Sequence, residues 1–159
     1  MSYNGLSESL YVLIGLVIAF LGFRTLKRKN NDPQQTISRI LQKSKYKDYT
    51  CWITQQSRLE TGNWKSKIFN EFNNGFGMGV ARIRETNRIG TYLASNGENF
   101  STYKNFDDSV IDYLLWCKYF NMPTNFVRPQ QFVNFLVSKG YAEDPNYAEK
   151  VLNLIEKNC

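Results

Sequence analysis

The apolar and polar positions of this chain divide it at once. Residues 1–9, MSYNGLSES, are polar, and Leu10–Phe23 that follows is an unbroken apolar run closed by Arg24, Lys27, Arg28 and Lys29. Fourteen helical residues span about 21 Å, short of a hydrocarbon core of about 30 Å. Extended from Leu6 to Leu26, the helix reaches about 30 Å, with Arg24 drawn to the interface. The run therefore predicts a retained transmembrane helix. A cleaved signal peptide needs a positive leading segment and a small-residue cleavage site, and the sequence around the run offers neither. The basic flank places the remainder of the chain on the cytoplasmic side of whatever membrane the helix enters.

Beyond Asn30-Asn31-Asp32-Pro33 the period changes. Asp32 and Pro33 predict a helix start, and Ile37, Ile40 and Leu41 form one apolar stripe before a basic exit over residues 43–47. Tyr49–Glu60 reads as a second helix, with Trp52, Gln56 and Glu60 spaced four apart on one side. Ser66–Phe72 reads as a short third. Residues 80–103 alternate instead: 81–83, 90–94 and 100–103 are short β-like runs, with Asn96-Gly97 as a turn signal. Helical spacing returns at Asp107, with Asp107, Asp108 or Ser109 as cap and Val110, Tyr113, Leu114 and Cys117 inward. Pro129 opens another helix, with Phe132, Phe135 and Leu136 inward and Gly140 as its stop. Asp144-Pro145 opens the last, with Val151, Leu152 and Ile155 inward. The layout is α+β, mostly helical with a small β-hairpin lobe and a cleft between lobes. It divides into a membrane anchor with basic flank (1–29), a linker or helix (30–48) and a C-terminal domain (49–159).

Composition narrows the chemistry. Among 159 residues there is no histidine, which removes histidine-based nucleophilic catalysis, imidazole acid–base work and histidine metal sites together. Proton transfer near neutral pH falls to a perturbed carboxylate, a Lys or a Tyr. Cys51, Cys117 and Cys159 have no metal-binding spacing, so neither zinc nor another metal or cofactor is expected. Cys51 and Cys117 lie in apolar helical patterns and read as buried small hydrophobes, with one disulfide left open. The net charge of +6 suits an anionic partner such as a wall polymer or lipid. The basic residues concentrate beside the apolar run and no recognition motif accompanies them, so no nucleic-acid partner is expected.

The stretch Gln55–Met78 carries the candidate chemistry. Glu60 ends a helical pattern, is followed by Thr61-Gly62-Asn63, and shares its neighbourhood with Trp52 and Trp64. Apolar packing raises a carboxyl pKa, as a general acid at neutral pH requires. Asn73-Asn74-Gly75-Phe76-Gly77 reads as an amide- and glycine-rich wall opposite the acid, able to bond the acetamido and hydroxyl groups of a sugar.

Four segments together carry a family resemblance. Glu60-Thr61-Gly62-Asn63-Trp64-Lys65-Ser66 resembles the Glu-Ser-Gly-x-x-x-Ser signature of the peptidoglycan-cleaving glucosaminidase family, which includes the flagellar-rod muramidase domains. Asn74-Gly75-Phe76-Gly77-Met78 is similar to its Asn-Leu-Phe-Gly loop. Phe100–Tyr103 followed by Ser109 and Asp112-Tyr113 is similar to its Phe-x-x-Tyr…Ser-x-x-Asp-Tyr segment, and Gly140–Ala148 to its Gly-Tyr-Ala-Thr-Asp-Pro-x-Tyr-Ala signature. Thr61 and Gly75 depart from the usual Ser and Leu. The resemblance implies a lysozyme-like α+β fold and cleavage of β-1,4 links in the N-acetylglucosamine/N-acetylmuramic acid glycan. It implies Glu60 as the acid and Asn74, Phe76, Tyr103 and Tyr147 as substrate-binding or supporting residues. A two-carboxylate mechanism needs a partner about 5–9.5 Å away. Glu85 and Glu98 in the β-lobe are the candidates. Without one, the substrate's acetamido group assists, or Glu60 alone drives a lytic transglycosylase.

These readings combine into a membrane-anchored peptidoglycan hydrolase whose partners are glycan strands and, through Leu10–Phe23, a lipid bilayer. The virion membrane of a membrane-containing phage, with capsid or membrane proteins as neighbours, is expected ahead of a bacterial inner membrane. A non-catalytic anchored glycan-binding or structural virion protein is the alternative from another class.

Overall fold

The computed structural model describes residues 32–159, which cluster as a single unit from Asp32 to Cys159. Within it run α1 (Pro33–Leu41), a 3-10 turn (Lys47–Tyr49), α2 (Thr50–Glu60), α3 (Lys67–Phe72), β1 (Gly90–Leu93), β2 (Asn99–Thr102), α4 (Phe106–Tyr119), α5 (Pro129–Ser138) and α6 (Tyr147–Asn158). The predicted apolar anchor Leu10–Phe23 lies outside the described residues. Among those described, no helix is long and apolar enough to cross a membrane.

The helix starts follow local chemistry. Asp32 accepts from the Gln34 amide ahead of Pro33, satisfying a donor that the first turn leaves free. Ser66 caps α3 through the Phe69 amide. For α4 the cap is Asn105, which accepts from the Asp108 amide, and not Asp107, Asp108 or Ser109 as the sequence suggested. Ser109 is buried and accepts from the Gly75 amide at 3.0 Å, so its hydroxyl holds the loop that follows α3.

α2 packs along α6, α6 against α5, and α1 against α2 and α4. Ile37 and Leu41 of α1 are fully buried beside Ile53, Tyr113, Phe132, Leu136, Val151 and Ile155. The apolar stripe that the sequence predicted for the linker or helix segment thus contributes to this core. Burying such side chains stabilises by about 1.5–3 kcal/mol each relative to exposure.

β1 and β2 pair antiparallel, Gly90 opposite Thr102 through Leu93 opposite Asn99, and the turn between them closes with the Ala94 and Gly97 amides. The third β-like run, 81–83, forms no strand. The segment 80–89 is irregular; its nearest ladder contact is an isolated bridge between Gly79 and Phe100. An ion pair takes the place of the missing ladder. Arg84, 6 % exposed, gives Nη1 and Nη2 to the two oxygens of Asp112, 0 % exposed, at 2.9 and 2.8 Å. Asn87 adds its amide and Tyr103 its hydroxyl to the same carboxylate.

Cys51 is not a free buried hydrophobe. It is disulfide-bonded to Cys159, 108 residues away, and joins α2 to the end of α6, while Cys117 is the buried free thiol. A loop of that length loses about 4–5 kcal/mol of unfolded-state entropy on closure in the chain-entropy account.

Candidate active site

Glu60 sits at the last position of α2, where the chain turns sharply away. Gly62, Asn63 and Trp64 all have positive φ, at 53°, 60° and 61°. Two of the three are not glycine, so the turn holds conformations disfavoured for residues with a Cβ. Side-chain bonds over-determine it. The Thr61 hydroxyl donates to the Ser57 carbonyl at 2.7 Å and accepts from the Trp64 amide at 2.9 Å. A serine hydroxyl at position 61 makes the same bonds, so the departure at Thr61 costs the turn nothing. Trp64 in turn donates to the Ser57 hydroxyl, and its face lies under the Arg58 guanidinium. Trp52 stacks on Tyr49 and packs against Phe132 in the core. The contacts of the two tryptophans run to Ser57 and Arg58, and to Tyr49 and Phe132.

The carboxyl is enclosed instead by the loop after α3 and by the start of α6. Tyr147 Oη donates to Glu60 Oε1 at 2.8 Å. On the other side stands Gly77, with φ of +60°. A Cβ there would lie 2.7 Å from Glu60 Oε2, so only glycine lets the loop approach the acid this closely. Burial pushes the Glu60 pKa up to about 7, against a smaller lowering by the Tyr147 hydrogen bond. Gly77→Ala is expected to displace the carboxyl and lower turnover by about 10–100-fold. Rates on a glycan suspension, alongside a thermal melt that confirms folding, check it.

The loop itself is built from inside. Asn74 is fully buried; its amide donates to the carbonyls of Met78 and Ser101, and its oxygen accepts from the Phe76 and Met78 amides. Phe76 is fully buried and stacks on Tyr113. Tyr103 is 2 % exposed and bonded to Asp112. Asn74 and Phe76 were expected to face the substrate, and Tyr103 to support or line the cleft. The structure turns all three inward, where they shape the loop and its base; Tyr147 alone of the four also lines the cleft. Gly75 has its own reason. Any Cβ there would strike the Phe106 ring, which fills the space the usual Leu side chain would need. Ser57, one turn before Glu60, donates to the Gly75 carbonyl at 2.7 Å and locks the loop to α2.

Glu60 opens into a groove of about 1030 Å³ walled by the loop 77–84, by Glu98–Phe100, by Trp116, Tyr119 and Phe120 of α4 and its exit, and by 140–147. Glu98 lines the groove and bonds Asn96 at its exposed carboxylate. Glu85 does not line it; its carbonyl accepts from Arg84. The groove also holds Glu143 and Asp144, which the sequence reading did not weigh as a second carboxylate; Asp144 is bonded to Lys150 at 2.6 Å. Two further residues escaped the sequence reading. Arg84 ties the groove's irregular wall to Asp112, and Tyr141 donates to the Phe76 carbonyl at 2.6 Å beneath the acid. Their signal lay in the segments around Asp112 and Tyr141 already singled out, but pairing partners 28 and 65 residues away leave no local pattern.

Residues 38–159 match the sequence model of the glucosaminidase family, described as mannosyl-glycoprotein endo-beta-N-acetylglucosaminidase. The peptidoglycan hydrolase FlgJ of Vibrio cholerae is 29% identical over 118 residues, covering 64% of this chain and 35% of the relative. FlgJ of Pseudomonas aeruginosa is 28% identical over 120 residues, covering 65% of this chain and 30% of the relative. The chain thus spans about a third of the length of these relatives. Among solved structures, the glycoside hydrolase domain of Salmonella typhimurium FlgJ superposes with a TM-score of 0.55 at 22% identity, over 79% of this chain and 87% of that one. At that identity the match shows a shared fold.

Proposed function

The chain belongs to the glucosaminidase family, and from that premise we propose that it cleaves β-1,4 glycosidic bonds of peptidoglycan with Glu60 as the general acid. One observation carries the role of Glu60: a carboxyl pushed to about pH 7 by burial, hydrogen-bonded to Tyr147, at the floor of an open groove. Such a group holds its proton at neutral pH and yields it readily, which matches the demand of a leaving glycosidic oxygen. The FlgJ relatives, both named as peptidoglycan hydrolases, support the choice of glycan. Tyr147 holds the acid in place, the aromatic wall of Trp116, Tyr119 and Phe120 supplies stacking surface, and Glu98 is the β-lobe carboxylate available to activate water.

A second mechanism has its own support. No acid is bonded to or locked opposite Glu60 among the described residues, and Glu98 is exposed. A lytic transglycosylase needs only Glu60, with the muramic 6-hydroxyl closing on the anomeric carbon. Mass spectra of digested sacculi separate the two. Anhydromuramic ends mean transglycosylation, and a reducing N-acetylglucosamine or N-acetylmuramic end identifies the bond hydrolysed. A chain that releases no glycan fragment from several wall types would leave the non-catalytic binding reading in place.

The sequence supports a membrane anchor at Leu10–Phe23. The Cys51–Cys159 bond supports an oxidising environment for the catalytic domain, since such bonds are rare in reducing cytosol. This opposes the orientation that the basic flank predicts, and export or a virion membrane that meets the wall from outside reconciles the two. Protease accessibility of the domain in intact particles or cells tests the placement.

A further inference from the structure

We infer that Gln56 is a positioning residue that decides which oxygen of Glu60 carries the catalytic proton. The inference rests on the general-acid role proposed above. Gln56 lies one turn before Glu60 on α2 and is fully buried. Its Oε1 accepts from Tyr113 Oη at 2.6 Å, and its Nε2 donates to Tyr147 Oη at 3.2 Å. Tyr147 then donates to Glu60 Oε1 at 2.8 Å. The four side chains form one line of bonds from the core to the groove.

The direction of that line follows from the Gln56 amide, whose oxygen faces Tyr113 and whose nitrogen faces Tyr147. Burial holds both tyrosine hydroxyls in their protonated form, so each has one proton to give. Tyr113 gives its proton to the Gln56 carbonyl oxygen, which turns the amide nitrogen toward Tyr147. Tyr147 already receives a proton there, so its own must point at Glu60 Oε1. That oxygen is committed as an acceptor. The acidic proton is left to Oε2, the oxygen facing Gly77 on the groove wall. The acid therefore presents its proton toward the groove and away from the core.

Without the Gln56 amide nothing fixes the Tyr147 hydroxyl. It can swing and accept a proton from Oε1, which stores the acidic proton against the core. The oriented donor to the carboxylate is lost as well, so the ionised form becomes harder to reach. Gln56→Met keeps the length and removes both polar atoms. Gln56→Glu keeps the shape and satisfies both tyrosines, but accepts from Tyr147 and draws its hydroxyl away from Glu60.

The experiment follows the Glu60 carboxyl by carbon NMR titration in the full chain, with Glu60→Gln to assign the signal, beside pH–rate profiles and melts. Gln56→Met is expected to raise the Glu60 midpoint by roughly half a unit or more and to lower kcat by about tenfold with KM held. Tyr147→Phe should displace the midpoint in the same direction, and the double variant should go no further than Tyr147→Phe alone. If Gln56→Met does not fold, Gln56→Glu takes its place, with the same upward displacement and loss of kcat expected. An unchanged midpoint in a folded variant, or additive displacements in the double, overturns the inference. The titration does not depend on substrate. A chain inert on every wall therefore defeats the general-acid role, whereas an unmoved midpoint in an active chain defeats only the part given to Gln56.

Discussion

Glu60→Gln is expected to lower glycan cleavage by about 10²–10⁴-fold while raising stability at alkaline pH. The amide keeps the shape and the Tyr147 contact but has no acidic proton to deliver. Wild-type turnover should fall above about pH 7, as Glu60 ionises. The stability effect has a definite sign. The folded-state pKa is raised from 4.5 to about 7, so between those values the folded chain holds a proton that the unfolded chain has released. Stability linked to this group is fully present below the lower value and is lost as pH rises through the window. Because the carboxyl is partly open to the groove, the loss amounts to about 2–3 kcal/mol rather than the full shift. Urea unfolding on both sides of the window measures it. The variant should gain on the wild type only at the alkaline end, and an equal difference at both ends would show that Glu60 is not held protonated by burial.

Arg84→Met is expected to cost about 3–5 kcal/mol and to cripple the groove together with the fold. The Asp112 carboxylate is fully buried, and burial alone would raise its pKa; Arg84, with Thr86 and Tyr103, more than offsets this and holds the pKa below its ordinary value. Removing the guanidinium leaves that charge with the Asn87 amide and the Tyr103 and Thr86 hydroxyls. In the wild type, the stability this carboxylate contributes is present above its ordinary range and is lost only as pH falls through the depressed value. In the variant the balance reverses and Asp112 tends to take up a proton, so the deficit should be largest at neutral pH and should shrink in acid. Arg84→Met combined with Asp112→Asn should recover much of the loss, because the buried charge is gone while the oxygen that the Asn87 amide reaches is kept and the new NH2 can donate to the Tyr103 hydroxyl in place of the bond it made to the other oxygen. Denaturant midpoints of the three variants decide the matter. A deficit that does not change with pH, and that the double variant does not relieve, would place the effect in packing rather than charge.

The elements that were legible in the sequence are those whose evidence is local. Ile37 and Leu41, or Val151 and Ile155, recur at helical spacing and are buried as that spacing requires. The hairpin around Asn96-Gly97 forms where its turn residues stand. Glu60 and Tyr147, singled out through family-like segments far apart in the chain, meet at 2.8 Å. Asn74 and Phe76 show what residue type alone leaves open. An amide and an aromatic ring beside an acid suit a sugar, but the same amide can satisfy four backbone groups of a tight loop and the same ring can fill its base. Nothing in the residue types says which face they take. The run 81–83 was misread for a different reason. Its alternation resembles a strand, yet its position is set by the Arg84–Asp112 pair, which forms across 28 residues and has no periodicity. Cys51 was placed inside a helix correctly, but its partner lies at the other end of the domain.

The pairing of α2 with α6 has a consequence for the order in which the chain acquires its properties. Glu60 and the tyrosine that orients it are 87 residues apart, and the covalent tie between their helices spans 108. Contacts of such separation are entropically expensive to close and come after local ones. The last helix must emerge and dock before the acid has its neighbour, and an oxidant must be met before that docking becomes permanent. The shorter-range elements can assemble while the cleft is still without one wall. The proposed acid therefore gains its hydrogen-bond partner only once α6 has docked along α2, and the disulfide then holds the two helices together.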